Sequence, residues 1–460
     1  MNEFQHDLIL RIVKLLNMLL MTAVFSIIWF LSYGHELYGL EFYRRGNWVI
    51  ALLFFLLYGV FGRTYDAFLV SLNRITEMVY SQGLALFLAD FLMMIVTWLL
   101  MRSFPPVLPV MLIFILQLVF TTLWSLLAHW WYFRTFPPRK TLIVYDMREG
   151  VEVLISQYGL EKKFRAETIC QVKEVLEQGV QMVEEYEAVY LCGVHSHDRN
   201  IIIKHCIACG IQTYVIPRLG DVMMSGAKTM HMFHIPVLRL DRYKPTPEFT
   251  VIKRFFDIFL SAIALVILSP FMLIVALAIK SDGGPVFYKQ TRLTKDGKEF
   301  KVLKFRSMRV DAEKDGVARL SAGDQDDRIT AVGHVIRKIR MDEVPQLINI
   351  LKGEMSIVGP RPERPEIAAQ YEEELPEFRL RLQAKAGLTG LAQVYGQYNT
   401  TPYDKLMMDL MYIAHPSIVE DLRIILATVK ILFMPESTQG IDPGQETAMV
   451  SQKTEENKKD

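Results

Sequence analysis

Five apolar runs decide most of what this chain can become. Four fall within the first 135 residues, at 15–33, 48–61, 84–101 and 107–133, and a fifth lies at 258–279. A helix needs about 20 such residues to cross a bilayer, and within lipid each backbone N–H and C=O must be satisfied internally. The four early runs therefore read as transmembrane helices, the second being short for the task. Asn17 interrupts the first run and no small-residue cleavage site follows it, so that run reads as retained. The runs account for an apolar content of 51 % across 460 residues. Lys plus Arg number 51 against 50 Asp plus Glu, which leaves no basic excess to suggest nucleic acid.

Charge in the flanks sets the expected topology. Arg11, Lys14, Arg63, Arg74, Arg134, Arg139 and Lys140 fall on one side, and only Arg44, Arg45 and Arg102 on the other. The richer side is expected to be cytoplasmic, with everything after residue 134 inside. Trp29, Trp48, Trp130 and Trp131 stand near run ends, as interfacial aromatics do. Asp90 sits within the third run, either as a functional intramembrane acid or facing a neighbouring helix.

Between residues 140 and 241 the pattern changes to short apolar strands, TLIVY, EAVYLCGV, IQTYVIP and IPVLRLD, with helical stretches at 149–158 and 199–208. The alternation predicts a small parallel α/β domain of Rossmann-like type. A dinucleotide site there requires a glycine loop after the first strand. The chain instead has DMREG, so no dinucleotide is expected, and the Tyr158/Lys162 pair in YGLEK is read as chance. This glycine-poor domain offers a surface for a homodimer. All four cysteines, Cys170, Cys192, Cys206 and Cys209, lie in this region and are expected to be reduced core residues. Cys206 and Cys209 have CxxC spacing with His195, His197 and His205 nearby, but no second CxxC or HxxxH completes a zinc set.

The fifth run carries Ser269-Pro270 at its centre. Proline removes one helical hydrogen bond and kinks the helix, and a serine hydroxyl can satisfy the freed carbonyl. A kinked helix can enter and leave by one face, with Lys253, Arg254 and Lys280 at the headgroups. The alternative is a plain fifth span with a tolerated proline. Beyond it, GPVFYKQTRLTKDGKEFKVLKFRSM predicts two strands around an Asp296-Gly297 turn, gathering Lys289, Arg292, Lys304 and Arg306. Arg337, Arg340 and Arg361 add further cations, and such a cluster suits a phosphate or diphosphate. Between them stands RMDEVPQL (340–347), two adjacent acids followed by a proline.

These motifs resemble the bacterial sugar transferase family, monotopic polyprenyl-phosphate phosphoglycosyltransferases. The resemblance rests on Lys253-Arg254…Asp257, the Ser269-Pro270 break, GPVFYKQTR, KFRSM…DAE, MDEVPQL, GEMSIVGPRP, GLTGLAQV and MDLMYI, in that order. The N-terminal plan resembles the large subfamily that initiates capsule or exopolysaccharide repeat units. The resemblance implies transfer of sugar-1-phosphate from a UDP-sugar to undecaprenyl phosphate at the bacterial inner membrane, on its cytoplasmic face. It implies Asp342 as nucleophile through a covalent phospho-sugar intermediate, Glu343 as its partner in metal handling or lipid-phosphate activation, Mg²⁺ at this pair, and Lys304, Arg306, Arg337 and Arg361 as phosphate-binding cations. Where the family has proline before the glycine of GLTG this chain has Ala386, which is expected to loosen that loop. Physically, Asp342 is expected at a helix N-cap, with Glu343 and Val344 opening the helix, Pro345 in its first turn and the macrodipole favouring negative charge.

The expected architecture is a four-helix transmembrane bundle (1–136), a cytosolic Rossmann-like domain (137–245), an α+β catalytic domain (246–435) with a re-entrant helix at 252–281, and a disordered tail (436–460). Two other functions fit parts of this plan. A membrane-anchored nucleotide-sugar dehydratase or epimerase needs a glycine-rich cofactor loop, and a non-catalytic scaffold needs only that Asp342 cap a helix.

Overall fold

The computed structural model describes residues 3–34, 42–146, 150–157, 159–281, 283–310, 328–396 and 400–432. The tail, the DAE end of KFRSM…DAE, most of DMREG and Tyr158 fall outside them. The chain divides into two compact units, Met1–Pro217 and Arg218–Asp460.

The first unit opens with α1 (Glu3–Trp29), α2 (Phe42–Thr64), α3 (Ile75–Met101) and α4 (Val107–Thr135), each long and apolar enough to cross a membrane. Polar side chains join them. Tyr58 donates to Asn17 Oδ1 (2.8 Å) and Asn17 Nδ2 to Gln82 Oε1 (3.2 Å), all three fully buried, so Asn17 is a helix-to-helix link. Trp29 differs from the sequence expectation: it is buried and donates to Thr97 Oγ1 (3.0 Å), whereas Trp48 and Trp130 are exposed. Asp90 is buried beside Gln117 of α4.

The α/β part follows as β1 (Arg139–Tyr145), α5 (Val151–Gln157), β2 (Phe164–Gln171), α6 (Val172–Gln178), β3 (Ala188–Cys192), α7 (Ser196–Cys209) and β4 (Gln212–Ile216). Its sheet is parallel throughout, in the order β2-β1-β3-β4. Side chains alternate as a pleated strand demands. Leu142, Val144, Val189 and Leu191 enter one apolar cluster, while Ile143, Ala188 and Cys192 enter the other, so both faces are covered. The sequence reading missed β2, and it placed IPVLRLD in this sheet. That segment instead forms an antiparallel hairpin, β5 (Lys228–Met232) with β6 (Ile235–Arg239), in the second unit. All four cysteines are free; three are buried as expected, but Cys209 is exposed.

In the second unit, α8 (Leu219–Ser225) and the β5–β6 hairpin precede α9 (Pro247–Lys280), a fifth helix apolar and long enough to cross a membrane. Ser269 Oγ donates to Val266 O (2.8 Å), the carbonyl that Pro270 lacks a proton to reach. One side of α9 is docked on the unit. Asp257 accepts from Ser356 Oγ (2.9 Å) and Ile357 N (2.9 Å), and Ile279 joins a core with Phe305, Ile336 and Met341. The other side leaves Phe255, Val266, Ile267, Phe271 and Ile274 exposed. Lys253 and Arg254 serve protein partners here, not the headgroups expected of them. Lys253 donates to Asp421 (2.7 Å) and Val358 O (3.0 Å). Arg254 donates to Ile350 O (2.6 Å) and Leu351 O (2.8 Å) at a helix C-terminus, where carbonyls run short of intrahelical donors; Ile350 O also accepts from Gly353 N (2.9 Å).

The unit continues through β7 (Phe287–Leu293) and β8 (Glu299–Phe305), paired antiparallel around the Asp296-Gly297 turn as the sequence predicts. Then come α10 (Ala331–Lys338), α11 (Gln346–Lys352), β9 (Ser356–Val358), α12 (Pro365–Glu374), β10 (Gly387–Thr389), α13 (Leu391–Tyr395), α14 (Pro402–Ala414) and α15 (Ile418–Leu432). The glycines of GEMSIVGPRP and GLTGLAQV let two backbones touch. A Cβ on Gly359 would stand 2.2 Å from Lys385 O, and one on Gly390 2.2 Å from Gly359 O.

Candidate active site

The acid pair stands on a single 3₁₀ turn, Met341–Glu343, entered through Arg340 in the left-handed region (φ 55°). Asp342 is therefore not an N-cap. Pro345 has no proton for Met341 O, so the chain there runs on three-residue bonds: Val344 N to Met341 O and Ile348 N to Pro345 O. The α-helix itself begins only at Gln346. A left-handed non-glycine residue costs of order 1 kcal/mol, and surrounding packing must hold it. Here Met341 and Val344 pack into the core beneath the last turns of α9, and Leu347 into the neighbouring cluster. That spacing turns the two carboxylates away from the core.

Buried Asn349 of α11 then fixes the turn against the hairpin. Its Oδ1 accepts from Leu303 N (3.0 Å) and its Nδ2 donates to Lys301 O (2.9 Å), bonding the free edge of β8 as a third strand would. Lys304, one residue further on, meets Glu343 with Nζ 2.6 Å from Oε1, and Arg361 approaches the same oxygen at 3.4 Å. Burial opposes charge on Glu343, but Lys304, Arg361 and Arg340 outweigh it and hold its carboxyl well below the usual carboxylate range. Asp342 shifts the other way. Burial and the neighbouring Glu343 charge raise it, against the pull of Lys304, Arg337 and Arg340. Two adjacent carboxyls thus differ in proton affinity because the lysine sits on one of them.

Of the four cations expected at the pair, Lys304, Arg337 and Arg361 act on it. Arg306 is buried with its guanidinium turned to backbone, donating to Pro285 O (3.0 Å) and Ile279 O (3.0 Å) at the end of α9. Arg340 joins the electrostatics of both acids. Ser269 and Pro270 lie in α9, within its exposed apolar stretch.

Behind Arg361 lies a network that its sequence spacing did not reveal. Buried Arg381 donates to Asp409 Oδ2 from Nε (2.8 Å) and Nη2 (2.7 Å), to Arg361 O (2.9 Å), and pairs with Glu363 at 3.5 Å. Arg292 donates to Pro362 O (3.1 Å) and Gln290, and burial lowers its pKa to about 10. The arginine loop is thereby braced from two sides. Ala386 does not loosen its neighbour either. Its N–H donates to Thr294 Oγ1 (3.1 Å), a bond proline has no proton to make, and its carbonyl accepts from Ser356 N (2.9 Å).

A docked apolar helix, a turn bearing two unlike carboxyls and the lysine and arginines around them make up the candidate site. Residues 248–435 match the family described as bacterial sugar transferase. The chain is 47 % identical over 189 residues to an exopolysaccharide production protein of Rhizobium leguminosarum bv. phaseoli, covering 39 % of this chain and 94 % of that relative. It is 40 % identical over 191 residues to a UDP-glucose:undecaprenyl-phosphate glucose-1-phosphate transferase of Caulobacter vibrioides, covering 40 % and 71 %. A third relative is the UDP-N-acetylgalactosamine-undecaprenyl-phosphate N-acetylgalactosaminephosphotransferase of Aeromonas hydrophila. It is 36 % identical over 234 residues, and the match spans 50 % of this chain and about half, 54 %, of that protein. The chain belongs to the bacterial sugar transferase family and is a membrane protein.

Proposed function

We propose that this chain transfers sugar-1-phosphate from a UDP-sugar to undecaprenyl phosphate, releasing UMP and starting a capsule, exopolysaccharide or O-antigen repeat unit. The observation that carries the proposal is the acid pair itself, Glu343 locked to Lys304 at 2.6 Å with Asp342 left beside it among Lys304, Arg337 and Arg340. An Asp342 carboxylate oxygen attacks the phosphorus bearing the sugar, and the bond to the UMP oxygen breaks with its electron pair. An oxygen of undecaprenyl phosphate then attacks the same phosphorus and the carboxylate leaves, so no net proton moves. Lys304, Arg337 and Arg361 screen the approach of a diphosphate to an anionic nucleophile. Glu343, ionised and fixed, keeps Lys304 in place. Two adjacent carboxylates supply hard oxygen donors of the kind Mg²⁺ takes beside substrate phosphates, so Asp342 and Glu343 suit that ion. When bound it neutralises charge on the diphosphate.

The packing of α9 supports re-entry. The unit touches it from Asp257 to Ile279, roughly 33 Å of helix rise. A straight crossing puts nearly all of that contact inside a hydrocarbon core of about 30 Å. A helix that enters and leaves one leaflet at Ser269-Pro270 keeps the docked side at the headgroups and the Phe255/Ile267/Ile274 side in lipid. We further propose α1–α4 as a four-helix transmembrane bundle, the parallel sheet as a Rossmann-like domain without dinucleotide, and the acid pair at the cytoplasmic face of the inner membrane.

The test is UMP release by the full chain in membranes supplied with UDP-sugars, Mg²⁺ and undecaprenyl phosphate. Release is expected from the native chain and its loss from Asp342→Asn; equal release from both overturns the proposal.

A further inference from the structure

A cluster unrelated to the acid pair lies in the first unit, on the α7 side of the parallel sheet. His205 and Cys209 are four residues apart on α7, so they share one helix face. The turn Val180–Glu185, which leads towards β3, brings Glu184 to that face. Glu184 Oε1 lies 2.8 Å from His205 Nε2 and 3.8 Å from Cys209 Sγ, and that sulfur is 3.7 Å from the same nitrogen. No other group of three or more metal-ligating side chains converges this closely among the described residues. We propose that Glu184, His205 and Cys209 form a binding site for one thiophilic divalent cation of the Zn²⁺ class.

The distances carry the proposal. Tetrahedral zinc with bonds of 2.0–2.3 Å sets its ligand atoms about 3.3–3.6 Å apart, the nitrogen–oxygen edge being the shortest. Both contacts to sulfur already lie close to that range, and the third, a hydrogen bond, has only to open by about half an ångström. The donor set is one sulfur, one imidazole nitrogen and one carboxylate oxygen, which selects Zn²⁺ or Co²⁺ over Mg²⁺ or Ca²⁺. Three protein ligands leave a fourth position open to water. The two cysteines of the CxxC divide: Cys206 is buried in the core beneath α7, and Cys209 turns outward to the cluster. The CxxC is therefore not the ligand pair; the His205/Cys209 spacing is. Bound metal ties the last turn of α7 to the turn ahead of β3.

The test uses the full chain in detergent with Co²⁺ alone as probe. One equivalent is expected to produce a thiolate-to-cobalt charge-transfer band with tetrahedral d–d absorption, and Zn²⁺ is expected to displace it. Among the four cysteines only Cys209 is exposed, so Cys209→Ser is expected to abolish the band. Glu184→Gln is expected to weaken Co²⁺ binding by at least about tenfold, as removal of even an outer-shell partner does. Zn²⁺ is likewise expected to protect Cys209 from alkylation. Both variants alter exposed side chains and leave the core intact. Co²⁺ held at the acid pair alone would give no thiolate band. Absence of that band from the native chain, or its survival in Cys209→Ser, overturns the proposal.

Discussion

Arg381 is the residue whose removal best separates stability from activity. Its side chain is 3 % exposed and that of Asp409 1 %, with two bonds of 2.7–2.8 Å between them. Arg381→Met leaves the Asp409 carboxylate buried without its partner, which costs about 3–5 kcal/mol. For a unit of this size that is a drop in unfolding midpoint of roughly 6–20 °C. Adding Asp409→Leu removes the stranded charge. Paired apolar replacements of buried ion pairs are often neutral, so the double variant is expected to recover about 2–3 kcal/mol. The remainder reflects Arg361 O, which loses its donor in both variants. Activity follows that carbonyl and not the charge. With the Arg381 brace gone and only Arg292 left to hold the loop at Pro362 O, the approach of Arg361 to Glu343 loosens, and displacements of an ångström cost up to about 10²-fold. UMP release is expected to fall roughly 10- to 100-fold in the single and double variants alike. Thermal unfolding in detergent beside a UMP-release assay reads both quantities. Recovery of activity together with stability in the double variant refutes the bracing role, and a single variant within about 1 kcal/mol of native refutes the buried pair.

The acid pair predicts opposite effects on stability. Asp342 is raised in the folded chain, so its ionisation opposes folding as pH rises through the folded value; Asp342→Asn is expected to stabilise at pH near 7 and to lose that gain below about pH 4. Glu343 is depressed, so its contribution is present above the unfolded value and fades as pH falls through the folded one; Glu343→Gln is expected to destabilise near pH 7. Denaturant midpoints at two pH values check both, and shifts of the same sign refute the split. Gly359→Ala forces a Cβ to 2.2 Å from backbone and is expected to cost about 3 kcal/mol or more, while Gly220→Ala, with nothing within 4 Å, stays within about 0.5 kcal/mol or gains slightly. Asn349→Leu strips Leu303 N and Lys301 O of their partners, and a loss of about 2–3 kcal/mol with reduced UMP release is expected.

The apolar helices were legible because a bilayer-length run has few other folded uses, β1 and β3 because buried parallel strands carry continuous apolar runs, and β4, an edge strand, because of its β-branched and aromatic residues. β2 was not. FRAETICQ is an edge strand whose exposed positions carry Arg165 and Glu167, so its alternation is weak and its charge resembles a loop. The β5–β6 hairpin was misplaced for a different reason. Its turn is Phe233-His234, both at positive φ (54° and 63°), a conformation usually announced by Asn-Gly or Gly. With no such signal, IPVLRLD reads as one more strand of the preceding sheet.

At the site, the sequence named the acids and most of the cations but could not divide the cations by task. Lys304 and Arg306 are two apart and both basic, so a continuing strand would point them to one face. The strand ends at Phe305, and that single step sends Lys304 to Glu343 and Arg306 to the carbonyls at the end of α9. Lys253 and Arg254 divide in the same manner from headgroup charges into docking bonds. Arg254 and Arg306 are claimed by backbone carbonyls, and a carbonyl carries no residue identity for a motif to record; Lys253 is claimed by the Asp421 carboxylate, far along the chain, as well as by Val358 O. Lys304 was legible beside the acids because the motifs around both are written in side chains, whereas the Lys253/Asp421 and Arg381/Asp409 pairs join residues far apart in sequence and emerge only in the fold. Cations that meet carbonyls become visible only when the fold brings the end of a helix to them.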